Sequence, residues 1–315
     1  MTSQDPSAPP ALPTSDSGIP YVRIAEDVQM PMLGLGVFQS TPEETERAVR
    51  VALELGYRSI DTAAIYMNER EVGAGLRASG VPREHVFLTT KLWVTDYGAR
   101  SARAGFERSL ERLAVDYVDL YLLHWPMPAD FSRTIESYEC LESLRDEGLV
   151  RAIGVCNFNP DHLEALAVRT ATRPAVNQVE LHPYFTQHEV RESNRRHRCL
   201  TQAWSPIGGA FHRHSETTVH PGTTSPLDHP VVVAIAEKYD KTPAQVVLRW
   251  HVELGVSPIP KSVRPARLAE NLAITDFALT AAEVAAIEAL DTGHRAGRDP
   301  VTFTTADYDV DVSAQ

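Results

Sequence analysis

Residues 117–155 read YVDLYLLHWPMPADFSRTIESYECLESLRDEGLVRAIGV, and this stretch decides the fold class. A short apolar run at 117–123 is followed by a longer stretch with helical periodicity, and a second apolar run begins at Val150. This alternation is typical of a strand, a crossover helix and a second strand. Because the crossover helix returns the chain to the same edge of the sheet, we expect the two strands to run parallel.

The same alternation continues in both directions along the chain. It predicts eight strands, at residues 32–37, 58–62, 85–91, 117–123, 150–155, 175–181, 199–204 and 256–260. Helix starts are marked by a capping residue and a proline, as in Thr41-Pro42 and Thr242-Pro243. Eight parallel units can close on themselves, so we predict an α/β fold, a single-domain (β/α)8 TIM barrel. An open doubly wound sheet is the alternative.

The two ends of the chain differ from this pattern. Residues 1–18 are rich in Ser, Pro and Thr and offer little apolar area to bury, which predicts a disordered N-terminal tail. Residues 19–315 then form the barrel domain, which is expected to end in a loop from Arg295 onward because periodicity stops there. A length of 315 residues accommodates one such barrel, which needs roughly 250.

Charge and composition exclude several classes of function. The chain has 30 Lys and Arg against 42 Asp and Glu, a formal net charge of −12, which disfavours binding to nucleic acid and to anionic membranes. It contains neither a long apolar run nor the basic and apolar blocks of a signal peptide. Its three cysteines form no CxxC pair. We therefore expect a cytoplasmic protein, and a monomer.

Polar residues stand where the predicted strands end. Asp61, Lys91 and His124 close three successive strands, and Tyr66 follows Asp61 by five positions. Taken singly, His124 could be a structural histidine and Lys91 part of an ion pair. Together, a lysine beside a tyrosine would lower the phenol pKa from about 10, and an aspartate would fix the ammonium. A histidine could bind a carbonyl oxygen, so the set indicates a proton-donating site.

Six ordered motifs between about residues 21 and 305 resemble those of the aldo-keto reductase superfamily. They are Asp61-Thr62-Ala63 with Tyr66, Asn68 and Glu69; Lys91-Leu92-Trp93; His124-Trp125-Pro126; Gly154-Val155-Cys156-Asn157-Phe158; Asn177-Gln178-Val179-Glu180-Leu181-His182-Pro183; and Ile259-Pro260-Lys261-Ser262. Val37-Phe38, Trp204-Ser205-Pro206 and Asp299-Pro300-Val301-Thr302-Phe303 are more similar to the prokaryotic 2,5-diketo-gluconate reductase type.

This resemblance implies an enzyme that reduces aldehydes or ketones to alcohols with NADPH, on broad or sugar-acid-like carbonyl substrates. Asp61, Tyr66, Lys91 and His124 would form the catalytic tetrad, with Tyr66 as the proton donor. A non-catalytic, nicotinamide-binding regulatory subunit is an alternative, although it would not require all four residues. An isomerase of phosphorylated sugars is another, but it leaves Tyr66 unexplained.

The resemblance also implies two parts of a cofactor site. The nicotinamide end would lie at Cys156, Asn157, Gln178, Trp204 and Ser205, with Trp204 stacked on the ring. Cys156 stands where the family often has serine, and a thiol is the poorer donor. A second, basic group at a predicted helix start comprises Lys261, Ser262, Val263, Arg264, Arg267, Glu270 and Asn271. Such a group suits a phosphate or is simply a solvated helix start; the resemblance assigns it to the 2′-phosphate of NADP.

By the same resemblance, Phe38, Trp93, His124 and Trp125 would line the substrate site. Arg295 and Arg298 in the C-terminal loop are candidate partners for an acidic substrate.

Three further patterns are interpreted as structural. The run at 73–78 fits the dinucleotide fingerprint GxGxxA, but it lies in a predicted helix instead of following a strand, which argues against a Rossmann fold. Glu180 and His182 are expected to share a structural hydrogen bond. His212, His214, His220 and His229 lack a fixed register, which favours a loop over the cofactor, and we expect no metal.

Overall fold

The computed structural model describes residues 17–208, 225–307 and 310–312. It begins with an antiparallel hairpin of β1 (Tyr21–Ala25) and β2 (Val28–Pro31), which the sequence analysis did not predict. The predicted disordered tail falls almost entirely on residues 1–16, outside the described residues, whereas Ser17 donates a hydrogen bond to the Gly56 carbonyl at 3.3 Å.

Eight parallel strands follow in chain order around one sheet. They are β3 (Leu35–Gly36), β4 (Ser59–Asp61), β5 (Phe87–Leu92), β6 (Val118–Leu123), β7 (Val150–Cys156), β8 (Val176–Glu180), β9 (Leu200–Trp204) and β10 (Ser257–Pro258). The first and last strands meet, because Gly34 N donates to Pro258 O at 3.1 Å and Gly36 N donates to Pro260 O at 3.2 Å. The sheet is therefore closed, and the predicted (β/α)8 barrel is confirmed over the open sheet.

The predicted strands are all found, but the first and last are shorter than expected. Only Leu35–Gly36 of the predicted run at 32–37 and Ser257–Pro258 of the run at 256–260 pair as strands. Proline lacks the N–H that a ladder needs, and Pro258 and Pro260 stand in the last run. Pairing at the seam of the barrel, where the first and last strands meet, therefore extends over few residues.

Ten helices are present among the described residues, and most connect successive strands on the outside of the barrel. They are α1 (Pro42–Leu55), α2 (Glu69–Ala78), α3 (Ala99–Leu113), α4 (Phe131–Asp146), α5 (Pro160–Ala167), α6 (His188–Arg196), α7 (Pro230–Tyr239), α8 (Pro243–Glu253), α9 (Pro265–Leu272) and α10 (Ala281–Glu288). None of the described helices is long and apolar enough to cross a membrane.

The predicted helix starts are formed by their caps. The Thr41 hydroxyl accepts from Glu44 N at 3.3 Å and the Glu44 carboxylate accepts from Thr41 N at 3.2 Å, so two backbone donors are satisfied at the start of α1. Thr242 and Gln245 repeat the arrangement at α8. The caps therefore fix the first turn of both helices.

The hairpin closes the amino end of the barrel. Val28 and Met30 are buried in one cluster with Leu120 and Leu122 of β6, which therefore face the barrel interior. Tyr121 and Leu123, the alternate residues of the same strand, belong to the larger cluster that includes helix side chains. With this end plugged by apolar groups, polar interior side chains accumulate toward the carboxyl ends of the strands.

The glycines of the GxGxxA run serve helix packing. A Cβ on Gly73 would lie 2.1 Å from the Leu113 carbonyl, and one on Gly75 would lie 2.7 Å from the Glu46 carbonyl. Both glycines are in α2, so their absent side chains let α2 approach α3 and α1 closely. The interpretation of this run as structural is confirmed.

Candidate active site

Three of the predicted tetrad residues are joined by direct hydrogen bonds at the carboxyl ends of β4 and β5. Lys91 Nζ donates to Asp61 Oδ1 at 2.6 Å and to Tyr66 Oη at 3.2 Å. Its third proton goes to the Thr62 carbonyl at 2.9 Å. Asp61 is the last residue of β4, and Tyr66 lies in the short 3₁₀ turn that follows it. The ammonium is thus fully hydrogen-bonded inside the protein.

The charge of this group is fixed by its surroundings. Burial lowers the pKa of Lys91, but the neighbouring Asp61 and Tyr66 oxygens outweigh that effect and raise it above its ordinary value. The lysine is therefore an ammonium at neutral pH. Burial also raises the pKa of Tyr66 to about 12, while Lys91 acts in the opposite direction.

The expectation that Lys91 would bring the Tyr66 pKa below about 10 is wrong for the protein by itself. Desolvation of the phenolate exceeds the attraction of the ammonium. The hydroxyl is therefore protonated at neutral pH, which is the state that a proton donor requires.

His124, the fourth predicted residue, follows β6 directly. Its ring centroid lies 5.8 Å from that of Tyr66 and 5.2 Å from that of Trp93, both at edge-on angles. Burial and the nearby Lys91 charge lower the pKa of His124 well below its ordinary value. Nδ1 is buried and has no hydrogen-bond partner among the described residues. The imidazole is neutral and has aromatic neighbours.

Two residues of the predicted nicotinamide site have strained backbones. Asn157 directly follows β7 with φ 65°, and Ser205 directly follows β9 with φ 49°. A side chain in this left-handed region costs on the order of 1–2 kcal/mol, and such residues cluster at functional sites. The carboxyl rim of the barrel is therefore locally strained at two predicted contacts.

Asn157 connects three rim segments. Its Nδ2 donates to the His124 carbonyl at 3.1 Å and to Cys156 Sγ at 3.2 Å, and its Oδ1 accepts from Trp204 Nε1 at 3.0 Å. The indole of Trp204 is half-buried, so its edge is held by Asn157 while part of it stays accessible.

Gln178 reaches across the barrel to the tetrad. Its Nε2 donates to Asp61 Oδ2 at 2.7 Å and to Gln202 Oε1 at 2.7 Å. Its Oε1 faces the Cys156 thiol at 3.9 Å. Gln202 was not among the predicted site residues, because it is an interior residue of β9 and no rim position marks it in the sequence.

The second predicted part of the cofactor site lies at the start of α9. Arg264 is the N-cap residue, and it makes no side-chain capping bond among the described residues; Arg264 and Arg267 are both exposed. Ser262 Oγ accepts from Arg264 N at 3.2 Å. The helix start therefore combines unbonded backbone donors with two cations.

The remaining members of this group are less exposed to solvent than the two arginines. Lys261 forms a parallel bridge with Gly36, next to the seam of the barrel. Val263 packs against the large core cluster, and Asn271 is buried. The Glu270 carboxylate accepts from the Thr242 hydroxyl at 2.7 Å, which ties it to the start of α8.

Aromatic rings surround the tetrad. The Phe38 ring lies 4.8 Å from Tyr66 and is 38% exposed, whereas Trp93 and Trp125 are buried. Trp125 stacks on Phe303 of the C-terminal loop, with centroids 4.1 Å apart and an interplanar angle of 3°. Phe303 was not predicted as a site residue. Its sequence signal is its place in the Asp299-Pro300-Val301-Thr302-Phe303 motif, which was used for the resemblance and not for the site.

Glu180 and His182 form the structural hydrogen bond expected of them, at 3.0 Å. Glu180 also accepts from Ala296 N at 2.7 Å and Gly297 N at 2.8 Å, so it anchors the C-terminal loop. Burial acts to raise the pKa of Glu180, but these hydrogen bonds dominate and lower it. Arg295, one candidate for acidic substrates, lies over the Phe185 ring at 4.7 Å.

The histidine-rich segment is mostly outside the described residues, as are His212, His214 and His220. His229 caps α7, where its Nδ1 accepts from Val231 N at 3.3 Å. In the part of the chain that the structure describes, no group of three or more metal-binding side chains converges.

The fold and this geometry define a (β/α)8 barrel with a buried Asp–Lys–Tyr chain and a neutral histidine at the carboxyl ends of its strands. Comparison with known proteins specifies the class. The sequence model of the Aldo/keto reductase family matches residues 32–292, and the chain belongs to that family.

Relatives of known name cover nearly the whole chain. Morphine 6-dehydrogenase of Pseudomonas putida is 48% identical over 289 residues, which are 92% of this chain and 97% of that protein. Methylglyoxal reductase DkgA of Yersinia pestis is 44% identical over 284 residues, 90% and 97% of the two chains. The resemblance stated from the motifs is thus confirmed, and the protein is an oxidoreductase.

A solved structure points to the cofactor class. The Bombyx mori aldo-keto reductase in complex with NADP has a TM-score of 0.80 and 34% identity, covering 89% of this chain and 95% of that one. This neighbour is a similarly folded reductase with NADP bound.

The residues at the rim fit a nicotinamide carboxamide. A carbonyl oxygen accepts two hydrogen bonds. Asn157 Oδ1 accepts one, from Trp204, and Gln178 Oε1 has only the distant Cys156 thiol. Both oxygens therefore retain capacity for the N–H groups of a carboxamide. The site has weaker donors for the carbonyl oxygen of the carboxamide. Both protons of the Asn157 NH₂ are already used, and Cys156 offers only a thiol.

Proposed function

We propose that this protein reduces aldehydes and ketones to alcohols with NADPH, and that Tyr66 donates the proton. The observation that carries the proposal is the contact of Lys91 Nζ with both Asp61 Oδ1, at 2.6 Å, and Tyr66 Oη, at 3.2 Å. A phenol alone is a poor acid at neutral pH. A fixed ammonium beside it stabilises the phenolate that forms when the proton leaves.

The roles of the four residues follow from their charge states. When bound, the reduced nicotinamide supplies a hydride to the carbonyl carbon. Tyr66 gives its proton to the carbonyl oxygen, and Lys91 offsets the resulting negative charge. Asp61 keeps the ammonium in place. His124 is neutral, so it donates an N–H to the same oxygen and orients it without competing as an acid.

NADPH would be held at its two ends. Asn157 and Gln178 offer acceptors to the carboxamide, Trp204 provides a ring face for the nicotinamide, and Cys156 and Ser205 flank them. At the other end, Arg264 and Arg267 surround an uncapped helix start. A 2′-phosphate gains charge-assisted hydrogen bonds there that NAD lacks, which favours NADP. Lys261, Ser262, Val263, Glu270 and Asn271 complete this end.

The substrate site is an aromatic wall open at Phe38. The Phe38 ring lies beside Tyr66, Trp93 lies edge-on to His124, and Trp125 follows His124 directly; these rings offer few polar groups that would select one substrate. Relatives named for morphine and for methylglyoxal are consistent with such breadth. Arg295 is engaged with Phe185, so acidic substrates gain less than the sequence suggested. The proposed substrates are therefore a broad range of aldehydes and ketones, methylglyoxal among them.

The experiment is NADPH oxidation with a panel of methylglyoxal, aromatic aldehydes, diketo-sugar acids and steroid ketones, with NADH run in parallel. Tyr66→Phe is expected to lower kcat/KM by at least about a hundredfold. Tyr138→Phe is the matched control, because the buried Tyr138 hydroxyl has no hydrogen-bond partner among the described residues. Full activity in Tyr66→Phe, or no NADPH oxidation by the parent on any carbonyl, would overturn the proposal.

A further inference from the structure

Two glutamines stand side by side inside the barrel. Gln178 on β8 pairs in register with Gln202 on β9, and each is only 1% exposed. Interior barrel positions are filled mainly by bulky apolar side chains. A buried amide left without partners is destabilising, so the hydrogen bonds that the two glutamines make must offset the cost of burying them.

The bonds of Gln178 cross the barrel. In the closed order of strands, β8 and β4 are four strands apart in both directions, so they lie opposite each other. The 2.7 Å bond from Gln178 Nε2 to Asp61 Oδ2 therefore spans the interior. The second proton of the same nitrogen goes to Gln202 Oε1, also at 2.7 Å.

Only one orientation of the Gln178 amide satisfies these partners. An ionised Asp61 carboxylate accepts and never donates, so the NH₂ must face it. Gln202 presents its carbonyl oxygen to the same NH₂, while its own nitrogen lies 4.0 Å from the Met30 sulfur at the hairpin plug. With both protons used, Gln178 Oε1 is left on the side of Cys156.

We propose that Gln202 is a positioning residue, which holds the Gln178 amide with its NH₂ toward Asp61 and its carbonyl oxygen toward the nicotinamide carboxamide. The inference rests on the proposed cofactor site. It extends that site to a residue that contacts neither cofactor nor substrate and that acts only through Gln178.

The experiment measures dissociation constants by quenching of protein fluorescence with two probes. One is NADP⁺, and the other is 3-acetylpyridine adenine dinucleotide phosphate, which has an acetyl group in place of the carboxamide and therefore lacks its NH₂. Parent protein is expected to bind NADP⁺ about fivefold more tightly than the analogue, the value of roughly one hydrogen bond. Gln202→Met, which keeps the volume of the side chain, should weaken the binding of NADP⁺ about fivefold. The binding of the analogue should be nearly unchanged.

Four further variants test whether the hydrogen bond is responsible. Gln202→Glu keeps an acceptor oxygen and should retain the preference for NADP⁺. Thr89→Val is the matched control on β5, since the buried Thr89 hydroxyl has no hydrogen-bond partner among the described residues, and it should also retain the preference. In a Gln178→Met background, adding Gln202→Met should cause no further loss of NADP⁺ affinity, because Gln178, the residue through which Gln202 acts, is already absent.

The outcomes separate the inference from the proposed function. If the parent does not bind NADP⁺, the proposed function itself is overturned. If the parent binds NADP⁺ and Gln202→Met keeps the parent preference, the inference alone is overturned. Equal weakening of both probes in Gln202→Met, or equal losses in Gln202→Met and Gln202→Glu, would indicate a packing effect and would also overturn it.

Discussion

Lys91 approaches Tyr66 both at the hydroxyl, 3.2 Å from Nζ, and over the ring, with Nζ 4.8 Å from the centroid. The ammonium therefore stabilises the neutral phenol through the ring as well as the phenolate through the oxygen. Burial outweighs the attraction of the ammonium for the phenolate, so the hydroxyl stays protonated although a cation touches it.

The first prediction concerns pH. Because burial raises the pKa of Tyr66 to about 12, the phenol is protonated at all lower pH values, and the lowered pKa of His124 keeps that ring neutral. Reduction needs the phenol, so its kcat/KM should be flat between about pH 6 and 9. Alcohol oxidation needs the phenolate and should rise with pH throughout this range. Steady-state rates in both directions check this; a reductive rate that falls above about pH 7 contradicts it.

The second prediction separates stability from activity at the buried ion pair. Lys91→Met leaves the Asp61 charge buried without its cation and should lower the free energy of unfolding by about 3–5 kcal/mol. Adding Asp61→Asn removes that charge and should restore most of the loss. Both variants should be inactive, because neither has the ammonium. Urea denaturation and NADPH oxidation test this, and a double variant no more stable than Lys91→Met would contradict it.

The third prediction concerns the choice of NADPH over NADH. Removing two exposed cations at the α9 start, in Arg264→Ala/Arg267→Ala, should lower the kcat/KM ratio of NADPH to NADH by at least about tenfold, because only NADPH has a 2′-phosphate to lose contacts. Arg23→Ala, on β1 at the opposite end of the barrel, is the control and should leave the ratio unchanged. An equal loss of kcat/KM with NADPH and with NADH would show that these arginines do not contact the 2′-phosphate.

The fourth prediction concerns Cys156. Its thiol accepts from Asn157 Nδ2 at 3.2 Å and donates weakly to Gln178 Oε1 at 3.9 Å, so it lies between the two amides that we propose bind the carboxamide. Cys156→Ser supplies a stronger donor and should tighten NADPH binding about threefold. Cys199→Ser makes the same change at a buried thiol before β9 and should leave NADPH affinity unchanged. Titration by fluorescence measures both; weaker binding in Cys156→Ser would contradict the assignment.

Much of the site could be predicted because strand ends are visible in sequence. Asp61, Lys91 and His124 each follow a short apolar run, and parallel strands bring their carboxyl ends to one rim. The geometry that joins them could not be predicted, since the Gln178 to Asp61 bond links residues 117 positions apart. The pKa of Tyr66 depends on desolvation, which a sequence does not report.

The missed features share a physical cause. The β1–β2 hairpin is made of short strands whose partners are each other, so the alternation that marks the barrel strands does not include it. Gln202 lies in the interior of β9, where an amide has the same sequence pattern as any polar residue in a strand. The roles of the hairpin and of Gln202 depend on the residues that the closed barrel places next to them, which the sequence does not reveal.

The last prediction concerns Phe303, which brings the irregular C-terminal loop into the aromatic wall. Its buried ring stacks on Trp125 at 4.1 Å and lies 6.1 Å from Trp93, so Phe303→Ala removes packing that holds these two indoles in the aromatic wall. The KM for an aromatic aldehyde should rise about fivefold, the value of roughly one aromatic pair, while that for methylglyoxal should change little. Val301→Ala, an exposed change in the same loop, is the control. Because the tetrad and the cofactor contacts lie on other segments, NADPH affinity should be unaffected. An equal rise for both substrates would mean that the loop shapes the whole site and not only its aromatic wall.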